Sequence, residues 1–523
     1  MQEVDHHFPR RLFKCSAFSF ALSVSLFCLI LFVIPVDTKM ADEKQLEKVT
    51  VSSASQSFTD DDGQEITWTE EEEKALLRRV DFLIMPLLIL GFFALQIDRG
   101  NIGNAMTDFF MQEVGITQFQ FNIGQQLLST GIVLLEIPSN IILYRVGPTL
   151  WIGSQILAWG AVATFQAFIK GKGLGPYLTT RLLLGLCEAG FIPAGLYTMT
   201  RWYKRSEISR RFSYYFLGNL FAGACSGLIA YGILHMRGIA GLSGWQWLFL
   251  LEGLFTIVVG LIFIAFFPQS PANPRSLIAG KSFRYFTERE SAILQARVFK
   301  DDPSKLQPRQ NVSWGEVKDT FTNWRILPHF LTTILGMASA HALGAYAPTL
   351  VIGFGYGRLQ SNAMMTIGAW ILLVLNLLWG WLADKYSKRG LMVFLGVLGL
   401  WVFQLGNRLL ITSPNRDLRF GFLTMATAFM ANWHAVNGAW LSLNARSAGE
   451  RSITMAIFVM GANIAGIAGS QIFQAHDAPV YRTGWTIIVA LCSASLFMSI
   501  VANAQYWLLN KFQKREGEDR YKY

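Results

Sequence analysis

Charged side chains interrupt the apolar stretches of this chain at only a few places, and those places are where chemistry is available. Asp98 and Arg99, in "QIDRGNIGNA" (residues 96–105), follow sixteen uncharged residues, 82–97. Arg181 and Glu188, in "RLLLGLCEAG" (181–190), are seven apart and so share a helix face two turns from each other. His434 and Asn437 share a face in "NWHAVNGAW", and His341 stands alone in another apolar stretch. A guanidinium attracts carboxylates, a desolvated carboxylate is a proton carrier, and an imidazole titrates near neutrality. A charge at mid-bilayer costs roughly 2.5–3.5 kcal/mol on insertion scales, so each such residue is expected to face a polar cavity or a partner. Catalytic patterns are absent: there is no phosphate loop, no HExxH and no nucleophile elbow. Cys15, Cys28, Cys187, Cys225 and Cys492 lack metal-ligand spacing. The expectation is a protein that is not an enzyme and holds no cofactor and no metal.

Composition names the solvent in which these residues sit. The 523 residues are 52% hydrophobic and 15% charged, with mean hydropathy +0.34, against about 25% charged in soluble domains. Windows long enough to cross a bilayer fall near 81–106, 121–146, 149–169, 176–200, 210–236 and 244–267, then near 325–350, 361–383, 389–411, 418–441, 452–475 and 484–510. The fold class expected is an all-α membrane protein with twelve transmembrane helices in two six-helix bundles, 81–268 and 324–511. Alternate loops divide Lys and Arg 31 to 8, or 21 to 8 without the central loop, which places both termini in the cytoplasm. The net charge of +10 therefore reads as loop asymmetry, and no nucleic-acid partner is expected.

The flanking segments are less uniform. The apolar leader within 1–39 would invert every later loop if it spanned; it reads as a signal-like segment outside the fold or sequence upstream of a start at Met40, with a thirteenth helix as the alternative. A cytoplasmic tail, 40–80, is polar as far as a capping box at Thr69–Glu72. The central loop, 269–323, reads as a linker with one surface helix, opened by a second capping box at Thr287–Glu290, and carries an unmodified sequon at Asn311. Residues 512–523 form a cytoplasmic tail.

Two six-helix halves joined by a central loop resemble the plan of the major facilitator superfamily. "GWLADKYSKRG" (380–390) resembles its loop signature, in which Asp384, Lys385, Lys388 and Arg389 would form a conformational latch; "YRVGPTLW" (144–151), in the first half, lacks the acid. "RLLLGLCEAG" resembles a second signature. Span 5 lacks the Gly-Pro run of proton-antiport drug exporters, and its Gly223 and Gly227, like Gly461, Ala465 and Gly469 in span 11, suit close helix packing. "QIDRGNIGNA", "EIPSN" (136–140), "EAGFIPA" (188–194), "RWYKRSEISRR" (201–211) and "GWQWLFLLEG" (244–253) together resemble the fungal allantoate permease branch, anion:cation symporters for allantoate and vitamin-like acids. Gln96 and Gly100 stand where that branch has Leu and Ser, which leaves the substrate open.

The resemblance implies that spans 1, 4, 7 and 10 line a cavity. Gln96, Arg99, Asn101, Arg181, His341, His434 and Asn437 are then candidate substrate ligands, and Asp98 and Glu188 candidate proton carriers. Glu136 and Glu252 read as structural residues near span ends, and Trp379, Trp381 and Trp440 as an aromatic belt. Asp98 and Arg99 point about 100° apart, so one faces the cavity and the other a neighbouring helix; counted from Val80, they lie in the outer part of the bilayer. The function implied is import of a small organic anion with a proton by a monomeric plasma-membrane carrier. Efflux of a secondary metabolite and non-transporting nutrient sensing are the alternatives.

Overall fold

In the computed structural model, residues 66–278, 284–301 and 322–512 are described, apart from 446–447, together with 50–51, 58–59, 318 and 320. The apolar leader, Met40, the Asn311 sequon and the C-terminal tail lie outside the described residues. Thr50–Val51 pairs antiparallel with Phe58–Thr59; the other described residues are helix and loop.

The first bundle comprises α1 (Glu70–Met106), the short α2 (Phe110–Val114), α3 (Gln118–Val146), α4 (Pro148–Gln166), α5 (Leu174–Glu188), α6 (Phe191–Trp202), α7 (Arg205–Leu234) and α8 (Gly244–Phe266). After α9 (Glu288–Asp301) come α10 (Ile326–Gly353), α11 (Gln360–Tyr386), α12 (Arg389–Leu409), α13 (Arg416–Phe429), α14 (His434–Leu443), α15 (Ala448–Gly469) and α16 (Arg482–Phe512). Among the described residues, eight helical runs, α5 and α6 counted as one, are long and apolar enough to cross a membrane. The Thr69 and Thr287 capping boxes both form, with Glu72 N–H and Glu290 N–H each donating to the threonine hydroxyl at 3.2 Å.

Two of the expected windows are not single helices. The fourth breaks at Ala189–Gly190 and the tenth at residues 430–433, each near its middle. Gly190 sits at φ +81°, where any Cβ would also lie 2.4 Å from Ser139 Oγ, so glycine is the residue that fits. The carbonyls that the break leaves without helical partners are met from α4: Gln155 Nε2 donates to Ala189 O at 2.7 Å and to Cys187 O at 3.3 Å. From α3, Glu136 Oε2 accepts Gly190 N–H at 3.2 Å. "EIPSN" and "EAGFIPA" are therefore two sides of one joint, and Glu136 is a structural residue in mid-bundle.

α3 and α5 touch backbone to backbone, since a Cβ on Gly185 would lie 2.2 Å from Leu128 O. The bundles meet along α1 with α10, α3 with α15, and α7 with α11. We call the end where α1 finishes and α3 begins distal. There the bundles are tied by Arg358 to Asp108 (2.7 Å), by Asn362 to Thr107 (2.9 Å), and by Asn122 and Gln118 to Phe473 O (3.0 and 3.2 Å). Gly227 packs against Asn362 across this seam, whereas Gly223 meets nothing within 4 Å.

The central helix α9 is not a loose surface helix. It buries Ile293, Leu294, Ala296 and Val298, and its Arg297 is 1% exposed. Arg297 donates to Glu73 at 3.2 Å, to Trp202 O at 3.2 Å and to Glu207, clamping α1, α6 and α7 together. The tryptophan belt also needs correction. Trp381 is exposed, but Trp440 is fully buried against His329 and Tyr506, and Trp379 donates to Met392 O at 2.8 Å.

Candidate functional site

Two turns before the distal end of α1 the helix carries its adjacent Asp and Arg, and their 100° divergence sends them to opposite surroundings. Asp98 is fully buried and accepts a hydrogen bond from Thr256 of α8 at 2.9 Å. Arg99 keeps 22% of its side chain exposed and donates from Nε to Glu188 Oε2 at 2.5 Å. Of the pair, Arg99 faces the space between the bundles. Glu188 is the last residue of α5, held at the helix break by the packing of Gly185 one turn earlier, and its side chain is wholly buried. Its second oxygen, Oε1, has no hydrogen-bond partner. An ion pair so enclosed persists only with close geometry, because desolvation of each charge works against it.

Arg181 lies two turns away on the same face of α5 and is entirely buried. None of its three guanidinium nitrogens makes a hydrogen bond; the group lies 5.9 Å from the Tyr177 ring centroid and 6.0 Å from that of Phe249. It stands within electrostatic reach of Glu188 and Asp98.

Across the gap, α10 presents His341, open at its surface and within electrostatic reach of Arg99, with Nε2 3.1 Å from Ala462 O. His434, at the start of α14 after the second break, stacks on Phe458 at 4.6 Å, and its Nε2 is unpaired. Ser129 of α3 borders the same space, beside Gly466 and His341. The arrangement is a guanidinium and two imidazoles around one gap, with His434 carried at one helix break and Arg99 paired to Glu188 at the other. It can receive an anion.

A profile of the Major Facilitator Superfamily matches residues 88–470. The chain belongs to this superfamily. An uncharacterized transporter of Saccharomyces cerevisiae is 29% identical over 86% of this chain and 83% of its own. The MFS-type transporter cnsO of Penicillium expansum is 26% identical over 85% of each. Two solved structures share the fold at TM-score 0.61 and 14% identity. They are a bacterial homologue of the human lysosomal transporter Spinster, inward-facing and unoccupied, covering 84% of this chain and 97% of its own, and a D-xylose-proton symporter, covering 80% and 97%. The protein is a non-enzymatic membrane transporter with the all-helical fold of this superfamily.

Against this superfamily frame, several candidate residues lie away from the gap. Gln96 donates to Asn219 of α7 at 2.5 Å, inside the first bundle. Asn101 is fully buried beside Glu252. Asn437 is buried in the second bundle, where its Oδ1 is 2.7 Å from His329 Nδ1 and its amide donates to Thr333 at 3.2 Å. His329, absent from the sequence reading, completes this buried link through Tyr506 at 3.2 Å. Its signal was available, since Asn437 needed a polar partner once placed in a core.

In the superfamily loop signature, Arg389 at the start of α12 pairs with Asp384 near the end of α11 at 2.6 Å, Asp384 being 75% exposed, so the pair joins neighbouring helices, while Lys385 lies 4.5 Å over the Trp381 ring. These contacts stay within the second bundle. Among the described residues the charged tie between bundles is distal, Arg358 on Asp108, with Arg237 of the first bundle sharing the same carboxylate at 3.0 Å.

Proposed function

We propose that the protein imports a small organic anion together with a proton, in the manner of the allantoate permease-like branch. Its twelve membrane passes would form two six-helix halves, with both termini cytoplasmic and the distal end facing outward. The observation that carries this reading is Arg99, a guanidinium open to the gap and tethered by Glu188. An incoming carboxylate competes with Glu188 for Arg99, so binding and release of the internal carboxylate are linked events. Arg99 therefore acts as anion receptor, Glu188 as its exchangeable counter-ion, and His341 and His434 as hydrogen-bonding groups from the other half. Gln96, Asn101 and Asn437 take no direct part in this reading. Alternating access follows from rocking of the halves about this gap.

The test is uptake of labelled allantoate, nicotinate and pantothenate by cells expressing the chain, with and without a proton uncoupler. Uptake of at least one acid is expected, abolished by the uncoupler and reduced more than tenfold by Arg99→Ala. Uptake that ignores the uncoupler would remove the proton from the reading, and flux only outward would reverse its direction.

A further inference from the structure

The small residues of α15 do more than let helices approach: they fix a side chain. α10 and α15 touch backbone to backbone, since a Cβ on Gly469 would lie 2.4 Å from Ala338 O. His341, three residues after Ala338 on the same face of α10, is therefore laid along α15. The same Cβ on Gly469 would sit 3.0 Å from the Cβ of His341, and one on Gly466, a turn earlier, 3.2 Å from its Cε1. The ring is anchored at Nε2, 3.1 Å from Ala462 O. A carbonyl only accepts, so Nε2 carries the hydrogen and Nδ1 of the neutral ring is left as an acceptor.

A third helix reaches the same spot from the first bundle. Gln126 of α3 donates to Ile467 O at 3.1 Å, tying α3 to α15 beside Gly466. Ser129 follows three residues later on the same face of α3. A Cβ on Gly466 would lie 2.7 Å from Ser129 Oγ and 3.3 Å from His341 Nδ1. Both polar atoms therefore border the methyl-sized space beside the bare Cα of Gly466, one from each bundle. Any side chain at 466 would fill it. His341 is open at its surface and within electrostatic reach of Arg99, so the niche belongs to the same gap.

What the niche can hold follows from its atoms. Arg99 offers only N–H donors and suits a carboxylate. His341 Nδ1 offers a lone pair, and the Ser129 hydroxyl can donate or accept. A ligand hydroxyl or amide N–H satisfies both, giving its hydrogen to Nδ1 and meeting Ser129 Oγ. A methylene, or a ring nitrogen that only accepts, would desolvate Nδ1 and leave it without a hydrogen.

We propose that the niche at Gly466 is a specificity subsite, selecting organic anions that carry a hydroxyl or amide N–H besides the carboxylate. His341 Nδ1 accepts from that group, Ser129 completes the contact from the other bundle, and Gly466 keeps the space open. The subsite rests on the anion reading above, but on neither its proton nor its direction. Allantoate and pantothenate carry such donors; nicotinate, whose ring nitrogen only accepts, does not. Because Ser129 and His341 belong to opposite halves, both grip the donor only while α3 lies against α15. Recognition of that group and closure of the halves therefore coincide.

Binding to the full chain in lipid nanodiscs at neutral pH, followed by thermal shift, tests this without any flux. The probes are acids matched with and without the donor at increasing spacing: lactate and propionate, β-hydroxybutyrate and butyrate, para-hydroxybenzoate and benzoate. In at least one pair the donor-bearing acid is expected to bind about tenfold more tightly, the worth of one well-made hydrogen bond. His341→Phe, which keeps a ring and loses both nitrogens, and Gly466→Ala, which fills the niche, should each bring that ratio to about one. A misfolded variant binds neither acid of a pair; Ser129→Ala, the smallest change, then decides by the same ratio, which should fall severalfold. Equal binding within every pair by the wild type, or a ratio unchanged in the variants, overturns the subsite. If Arg99→Ala still abolishes binding of all the acids in that case, the anion reading stands without it. A ratio that survives Arg99→Ala but not His341→Phe keeps the subsite and overturns Arg99 as the anion receptor. Binding of no acid overturns both.

Discussion

Glu113 shows how far one side chain can be set by its neighbours. It sits in α2 at the distal end, where burial pushes its carboxyl up but hydrogen bonds from Ser243, Arg237, Trp245 and Lys170 outweigh that and hold it at about 2. Trp245 Nε1 donates at 2.7 Å, Arg237 at 2.6 Å and Lys170 at 3.1 Å. A carboxyl depressed on folding contributes stability that is complete above its unfolded value near 4.5 and is lost as pH falls toward about 2. The melting temperature is therefore expected to drop between pH 5 and pH 3, and Glu113→Gln to be less stable at pH 7 with a flatter profile over that interval. A variant melting with the wild-type pH dependence would assign the acid sensitivity elsewhere. At this scale the sequence was readable by residue type and angular offset: Arg99 and Asp98 had to diverge, and Arg181 and Glu188 had to share a face. Which of the first two met the gap depended on where α8 packs, and a single helix does not encode that.

Elements were more legible than sites. All twelve apolar windows coincide with helix, and the Thr69 and Thr287 boxes mark real helix starts because they are local signals. The breaks at Gly190 and 430–433 were not visible as breaks, since hydropathy runs straight through them and the residues that stabilise the first, Gln155 and Glu136, come from other helices. The docking of α9 was hidden for the same reason: its amphipathic pattern is equally that of a surface helix until Arg297 finds Glu73 and Glu207. Removing that arginine leaves two partly buried acids without their shared cation, at a cost of about 3 kcal/mol by analogy with broken buried ion pairs. Arg297→Ala should therefore lower the melting temperature and expose the 284–301 segment to protease, whereas Arg289→Ala, whose partner Glu72 is 40% exposed, should change neither. Equal protease resistance in both variants would detach α9 from the fold's stability.

For the whole molecule, among the described residues, the charged tie between halves sits at the distal end. Asp108 is fully buried and accepts from Arg237 of its own half and Arg358 of the other, and Trp245 N–H donates to its second oxygen at 3.0 Å. Phe109, in a left-handed conformation at φ +62°, lies between the same two guanidiniums, 5.4 Å and 4.5 Å from its ring centroid. Of the two guanidiniums on Asp108, only Arg358 must leave for the halves to part, because Arg237 continues to neutralise Asp108 afterwards. That asymmetry makes the distal seal breakable without stranding a buried charge, as a carrier that alternates between two closures requires. Arg358→Gln should therefore shift the population toward a distally open form while leaving the first bundle intact. Spin labels at Lys172, in a loop of the first half, and at Arg416, at the start of α13 in the second, read this directly: the distance distribution should gain a longer component in Arg358→Gln. Arg237→Gln should instead destabilise the fold, since Asp108 and Glu113 both lose a partner. An unchanged distribution in Arg358→Gln would mean that the apolar and amide contacts of the seam, Gly227 against Asn362 and Asn122 on Phe473, hold the distal end closed by themselves.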